Sequence, residues 1–350
     1  MADSTMNVNC LMEASDKALE YLLSNLDDGA EFVSDDAKQE LCVVYKLPML
    51  LLVKGREKLA NQVLDNIKEK FMQPDGDFVS YKMKNGTDRK TASGPLAHFW
   101  AYMNGWIAMA AHRVGRFDIS FPAYNYMKSF YNPDMRSVTC SELYNDVTKG
   151  KGQEVGIFMT SHVGLTALYF GELDFATGLG DSVEKFVMKQ PNLQEEFFIR
   201  MSADTKEVVR EASTPELSPF YCVKLSQPNQ LYFLLGYPVI FLCKLFQATQ
   251  RQHYLTSAEK ILDFLLGCDK SMYNFHFSHK VAYGAAMVAR ETKSLEYKVL
   301  GEKISQYLLG IQSKDGDFLS SQSVHDNYDQ TAEIAIWLKE IYVELSRFRK

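Results

Sequence analysis

Three histidines, His98, His162 and His279, recur at matching places in the 350-residue chain, each near the start of an apolar run. Imidazoles titrate near neutral pH, so three around one hollow could pass protons to and from a substrate. Asp329 and Glu333 stand four residues apart. On a helix that spacing puts both carboxylates on one side. Paired carboxylates do acid/base work when their surroundings keep one of them protonated. Asp36 and Glu40 repeat the spacing near the other end of the chain. Each reading has a plainer rival: a His or Asp at a helix start also caps it, and Glu333 also serves by pairing with a Lys or Arg.

We take His98, His162, His279 and Asp329 as the candidate proton-transfer groups. Asp36, Glu40, Trp100, Gln230, Tyr232, Tyr328 and Glu333 are the candidate substrate contacts, with Gln230, Tyr232 and Tyr328 holding substrate oxygens. Arg200 and Lys280 are further candidates for contact with a carboxylate or phosphate. Three His could also bind a metal, but none has the HxH or HxxxH spacing of a local pair, so no metal is expected. No Gly-rich phosphate loop, no GxGxxG after a strand and no GxSxG elbow is present, and the Cys residues lack an evident paired base. Nucleotide-dependent, serine-hydrolase and thiol chemistries are disfavoured, and no cofactor is expected.

Elements of two kinds must position these groups. Amphipathic segments follow the i, i+3, i+4, i+7 stripe, as in Leu300, Ile304, Tyr307, Leu308 and Ile311. Six other segments are apolar on nearly every side: 41–53, 99–111, 162–170, 231–246, 281–289 and 334–345. A helix apolar all round must be wrapped by others. Each apolar segment has an amphipathic one before it, and the apolar members recur every roughly 50–68 residues. The pattern predicts about twelve helices in six hairpins, an inner barrel inside an outer ring, with the inner N-termini and the polar residues gathered at one mouth. Those termini favour an oxygen-rich ligand. Pro48 and Pro238 should kink inner helices. Segment 196–209 alternates weakly and reads as a β-hairpin lid, and 130–156 as a long polar flap.

A turn recurs with this design. QPDGDF at Gln73–Phe78 and QSKDGDF at Gln312–Phe318 both follow amphipathic helices. The stretch YLLGIQSKDGDF resembles the Q-x-x-D-G-x-F/W repeat of terpene cyclases and protein prenyltransferases. With the helix order, the chain resembles the α/α-toroid superfamily, which also holds the six-hairpin sugar enzymes. The resemblance implies an all-α (α/α)6 toroid. It also implies that the Gln caps a helix end, the aromatic packs the ring, and Asp75, Asp77, Asp315 and Asp317 are structural. The DxDD acid and the DDxxD metal site of cyclases are missing, as is the zinc set of prenyltransferases.

Length and a large apolar fraction allow a sizeable core, and no low-complexity linker divides the chain, so residues 1–350 read as one domain. The net charge is −6 without a basic stripe, which disfavours nucleic acid. The six Cys are scattered without a CxxC pair, as suits a reducing compartment. No secretion signal is visible, and no apolar run nears the about 20 residues of a membrane span, so a cytoplasmic protein is expected. The expected function is metal-free acid/base catalysis on a small, partly apolar metabolite in the central cavity: a cyclisation, isomerisation or dehydration, of isomerase or lyase type, in natural-product chemistry. The alternatives are a carbohydrate epimerase or glycoside hydrolase/lyase, and a non-catalytic binder or partner subunit.

Overall fold

The alternation of half-apolar and wholly apolar segments resolves into a ring of helices. A computed structural model describes residues 6–80, 90–91, 99–140 and 153–348. The long helices among them are α1 (Asn9–Ser24), α2 (Leu47–Val53), α3 (Glu57–Phe71), α4 (Tyr102–Arg113), α5 (Phe117–Lys128) and α6 (Ile157–Tyr169). They continue with α7 (Leu173–Met188), α8 (Phe233–Thr249), α9 (Gln252–Leu266), α10 (His279–Thr292), α11 (Leu295–Ile311) and α12 (Val324–Ser346). The even-numbered helices are buried along most of their length, whereas the odd-numbered ones bury one face. Around the inside, α2, α4, α6, α8, α10 and α12 touch in that order, and α12 closes back on α2. The architecture is an (α/α)6 toroid, and one hydrophobic cluster runs through it from Leu11 to Leu345. No helix among the described residues is long and apolar enough to cross a membrane.

The hairpins pair differently from the sequence expectation. Each inner helix packs chiefly on the outer helix that follows it, and α1 packs on α12. Short connections are the reason, because two or three residues leave antiparallel neighbours no other choice. Those turns use left-handed residues: Gly55, Gly115, Gly171, Gln250 and Lys293. Among the described residues the long connections lie at the other end, near the N-termini of the inner helices.

The repeated turn occurs three times. Gln73 N–H donates to Asp77 O, Ser313 N–H to Asp317 O, and Asp27 N–H to Glu31 O. Gly76 and Gly316 have positive φ, and Ala30 occupies the same position in the first copy. A Cβ on Gly76 would lie 2.2 Å from Pro122 O, so glycine is required there by contact as well as by backbone angle. Gln312 donates to Gly316 O and Ala14 O, tying the turn to α1, while Phe78 and Phe318 are buried. Asp77 is held by Lys90 and by Trp100 Nε1, and Asp317 by Asn327.

The hairpin expected within 196–209 forms over Arg200–Val209, and its strands also pair with other segments. Glu196–Phe198 pairs with Cys222–Lys224, and Arg200–Ser202 pairs with Glu154–Gly156. The local hairpin is held by the Met201–Val208 bridge and by Ser202 N–H donating to Glu207 O and Val209 N–H to Arg200 O. Arg200 donates to Phe220 O and to Glu154, and its guanidinium lies 4.1 Å from the Tyr221 ring. This anchors the Pro215–Phe220 turn over the barrel mouth. Of the expected flap, 141–152 lies outside the described residues.

Candidate active site

The site is built from the N-terminal halves of the inner helices and the residues just before them. In the apolar run Leu41–Val53 the helix breaks at Tyr45-Lys46, between Leu41–Val44 and α2. Pro48 explains the break: it has no N–H for the Val44 carbonyl, and it fits the first turn of a new helix. Lys46, alone in that run, thereby points into the barrel, 2% exposed. On α12, Asp326, Asp329, Gln330 and Glu333 recur at helical spacing on the cavity side.

Glu333 is the hub. Its Oε2 lies 2.5 Å from Lys46 Nζ, and its Oε1 lies 2.7 Å from Lys280 Nζ. Tyr102 OH and Trp337 Nε1 also donate to Oε1, at 3.0 and 3.2 Å, and His279 Nε2 is 3.5 Å away. Lys46 reaches Asp329 Oδ1 at 2.8 Å. That contact is a buried ion pair, and Asp329 Oδ2 also accepts from Gln330 Nε2 at 2.7 Å.

Over this hub lies a cavity of about 170 Å³. That is below the roughly 300–1,000 Å³ of drug-sized sites, so it suits a small molecule. Its wall is aromatic: Phe99, Phe158, Phe220, Phe233 and Phe277. These rings pack on one another, for example Phe99 on Phe158 at 4.8 Å and Phe233 on Phe277 at 5.3 Å. Its floor is polar. Tyr45 OH and Gln330 Oε1 are buried without a hydrogen-bond partner among the described residues, and both residues line the cavity with Asp329. Such groups are costly to leave unsatisfied unless a ligand completes them. Beneath the floor Trp106, Tyr237 and Trp337 pack edge to face and separate this cavity from a smaller one at the far end of the barrel.

Burial and charge push the groups apart. Burial raises the Asp329 carboxyl above its ordinary range, with help from Glu333 and against Lys46. Burial works against the Glu333 anion too, but Lys280 and Lys46 outweigh it and hold the carboxyl well below the usual value. Lys280 falls to about 8, through burial and the Lys46 cation against the pull of Glu333. Burial opposes the Lys46 charge, yet Asp329 and Glu333 raise it overall. His279 falls to about 4, mainly by burial and then by Lys280.

The structure brings together Asp329, Glu333 and, just behind the cavity, His279. The other candidates sit elsewhere. His98 lies outside the described residues. His162 is fully buried, with Nδ1 2.8 Å from Tyr237 OH and Nε2 2.9 Å from Tyr102 O. Asp36 is exposed, and Glu40 accepts from Ser80 Oγ at 3.0 Å. Trp100 donates to Asp77 and Tyr126, and Gln230 bonds the backbone of Lys224 and Gln227. Tyr232 OH bonds Ser271 and Gln227, and Tyr328 stacks on Phe32 at 4.4 Å. Trp100, Tyr232 and Tyr328 do not line the cavity, while their neighbours Phe99, Phe233 and Asp329 do. Each residue turns a helix by about 100°, so a one-residue error in phase selects the wrong face. Lys46 is the group sequence reasoning missed, although a lone charge in an apolar run was the available signal.

His162 yields a pH prediction. Tyr102 O can only accept, so Nε2 carries the proton and the ring is neutral. Burial lowers its pKa to about 3. The unfolded chain takes up that proton near pH 6.5, so this stability is complete above pH 6.5. It is lost as the pH falls toward 3, at up to about 1.4 kcal/mol per pH unit. Urea midpoints between pH 7 and 5 should show the slope, and His162→Gln, which can keep both bonds, should flatten it. An unchanged slope in that variant would remove His162 as its source.

No protein-family model matches the sequence, and no curated protein does. Solved structures do match in fold. A D-mannose isomerase is similar with a TM-score of 0.66 at 11% identity, over 97% of this chain and 99% of that one. A family 76 glycoside hydrolase from a bovine Bacteroides thetaiotaomicron strain is similar at 0.59 and 12%, over 94% and 77%. A possible GH105 member from Salmonella enterica gives 0.57 and 9%, over 97% and 96%. The chain is therefore a six-hairpin α/α toroid, as the turn motif and helix order imply.

Proposed function

We propose that the protein is a carbohydrate-active acid/base enzyme of isomerase or epimerase type. It moves a proton between neighbouring carbons of a small sugar-like carbonyl compound. The observation that carries this reading is the floor of the mouth cavity, where Lys46 and Lys280 lie 2.5 and 2.7 Å from Glu333 and Asp329 lies 2.8 Å from Lys46, while burial raises the Asp329 carboxyl and lowers the Lys280 ammonium. An acid and a base driven toward neutral pH are what proton transfer requires. The Tyr45 hydroxyl and Gln330 Oε1, which lack a hydrogen-bond partner among the described residues, suit substrate hydroxyls, and the Phe wall suits the apolar face of a ring.

The similar folds named above include a sugar isomerase and glycoside hydrolases, which supports a carbohydrate over a terpenoid substrate. Isomerisation is favoured over hydrolysis by the placement of carboxylates. Among the described residues the three that line the cavity, Asp326, Asp329 and Glu333, all come from α12. Glycoside hydrolysis calls for two carboxyl groups flanking the bond, and the facing wall here is aromatic. The same Phe wall supports a second reading, an isomerase or cyclase of a partly apolar metabolite. The test is to incubate the protein with aldoses and ketoses in D2O and follow deuterium entry beside the carbonyl by NMR. Exchange with at least one sugar is expected. Exchange with none, alongside turnover of apolar carbonyl compounds, would shift the assignment to the second reading.

A further inference from the structure

Lys280 has the surroundings of a nucleophilic amine. It is 2% exposed yet lines the cavity, and its Nζ lies 5.3 Å from the Phe233 ring centroid and 5.7 Å from that of Phe277. Nζ is 2.7 Å from Glu333 Oε1 and 3.0 Å from His279 Nε2. His279 Nδ1 lies 2.6 Å from His276 O, which only accepts, so Nδ1 carries the proton and Nε2 turns its lone pair toward Lys280. Lys46 provides the contrast. It is equally buried, but two carboxylates grip it, Asp329 at 2.8 Å and Glu333 at 2.5 Å. Within one cavity one lysine is locked as a cation, and the other has a proton acceptor beside it and a second cation nearby. Desolvation and a neighbouring cation are what activate an amine toward carbonyls.

We propose that Lys280 captures the substrate carbonyl as an iminium ion, which makes aldehydes and ketones, including open-chain sugars, the ligand class of this cavity. This rests on the reading of the site as one for sugar-like carbonyl compounds. The step balances without another reagent. Lys280 Nζ passes a proton to His279 Nε2, and its lone pair bonds to the carbonyl carbon. The C=O π pair moves to oxygen, which takes up that proton to give a carbinolamine. A second proton moves from nitrogen to that hydroxyl, water leaves, and the nitrogen pair closes C=N. The sum is ammonium plus carbonyl giving iminium plus water, with one positive charge on each side. Glu333 thus keeps a counter-ion throughout. The iminium acidifies the adjacent C–H: Asp329 on the same cavity wall takes that proton, and the C–H pair forms the enamine. Return of a proton to the same carbon restores the iminium. Water then releases the carbonyl compound and the Lys280 amine, with that carbon exchanged or epimerised.

Reductive trapping tests the proposal. The wild-type protein is incubated at neutral pH with glyceraldehyde or D-mannose and sodium cyanoborohydride, then digested and mapped by mass spectrometry. Lys280 should acquire the probe at least roughly tenfold faster than Lys46 or the exposed Lys293, and Lys280→Arg should lose that adduct. The wild-type map decides the matter even if the variant does not fold, because Lys46 is an internal control. Labelling of Lys280 no faster than of Lys293 overturns the proposal. If sugars still exchange deuterium in that case, the isomerase reading stands and only the imine falls. A Lys280 adduct without exchange of any sugar keeps the amine and removes the sugar reading.

Discussion

Glu333→Gln is expected to destabilise the fold by about 3–5 kcal/mol, the range for breaking a buried ion pair from one side. The substitution preserves shape, so the loss is electrostatic. Lys280 then keeps only His279 Nε2 at 3.0 Å, and the new amide turns N–H groups toward ammonium groups. Lys46 retains Asp329. Against a total stability of roughly 5–15 kcal/mol, such a loss is severe. Denaturant midpoints measure it. Adding Lys280→Met should restore part of the loss, since that removes the stranded cation, and the double-mutant cycle gives the coupling. The sign of the pH effect is fixed as well. The folded Glu333 carboxyl sits well below 4.5, so its contribution is present above that pH and is lost on further acidification. A Glu333→Gln protein within about 1 kcal/mol of the wild type would show that the hub does not hold the barrel ends together.

Asp329→Asn should leave the fold largely intact and lower turnover by about 10²–10⁴, the usual worth of a positioned acid or base. Lys46 keeps its shorter contact to Glu333, so no buried cation is stranded. The Asn side chain can bond a substrate hydroxyl but cannot take a proton. KM should therefore change by no more than a few fold while kcat collapses. Deuterium exchange in D2O is the readout. Turnover within about threefold of the wild type would remove Asp329 from the chemistry. Together the two variants separate support from catalysis, since one mainly costs stability and the other mainly costs rate.

The two carboxylates illustrate how much of the site was legible. Asp329 and Glu333 were readable because an i, i+4 pair on an otherwise apolar helix stands out whatever the surroundings. His279 was readable by its place at a helix start, but its role was not. In the structure it faces Lys280 and Glu333 from behind the cavity. Trp100, Tyr232 and Tyr328 failed for another reason. They are amphipathic groups at helix starts with two polar environments within reach, and the fold gave them the loops and turns outside the cavity. Their apolar neighbours took the inner wall. Lys46 was hidden because reading Leu41–Val53 as one helix gives no cue to where a break would aim it.

The sequence alone determined the alternation of wetted and fully buried helices, the repeated Gln/Asp-Gly/Phe turn, and therefore a closed double ring with polar residues at one end. These follow from local periodicity and turn chemistry, which act over a few residues. Only the tertiary structure decided which face of each inner helix meets the hollow. It alone joined Lys46, from the break before α2, with Lys280 of α10 and Asp329 of α12 around the Glu333 carboxylate. That outcome depends on helix phase and on ion pairing across the barrel. Both are set by packing between distant segments, and a one-residue rotation would have chosen differently.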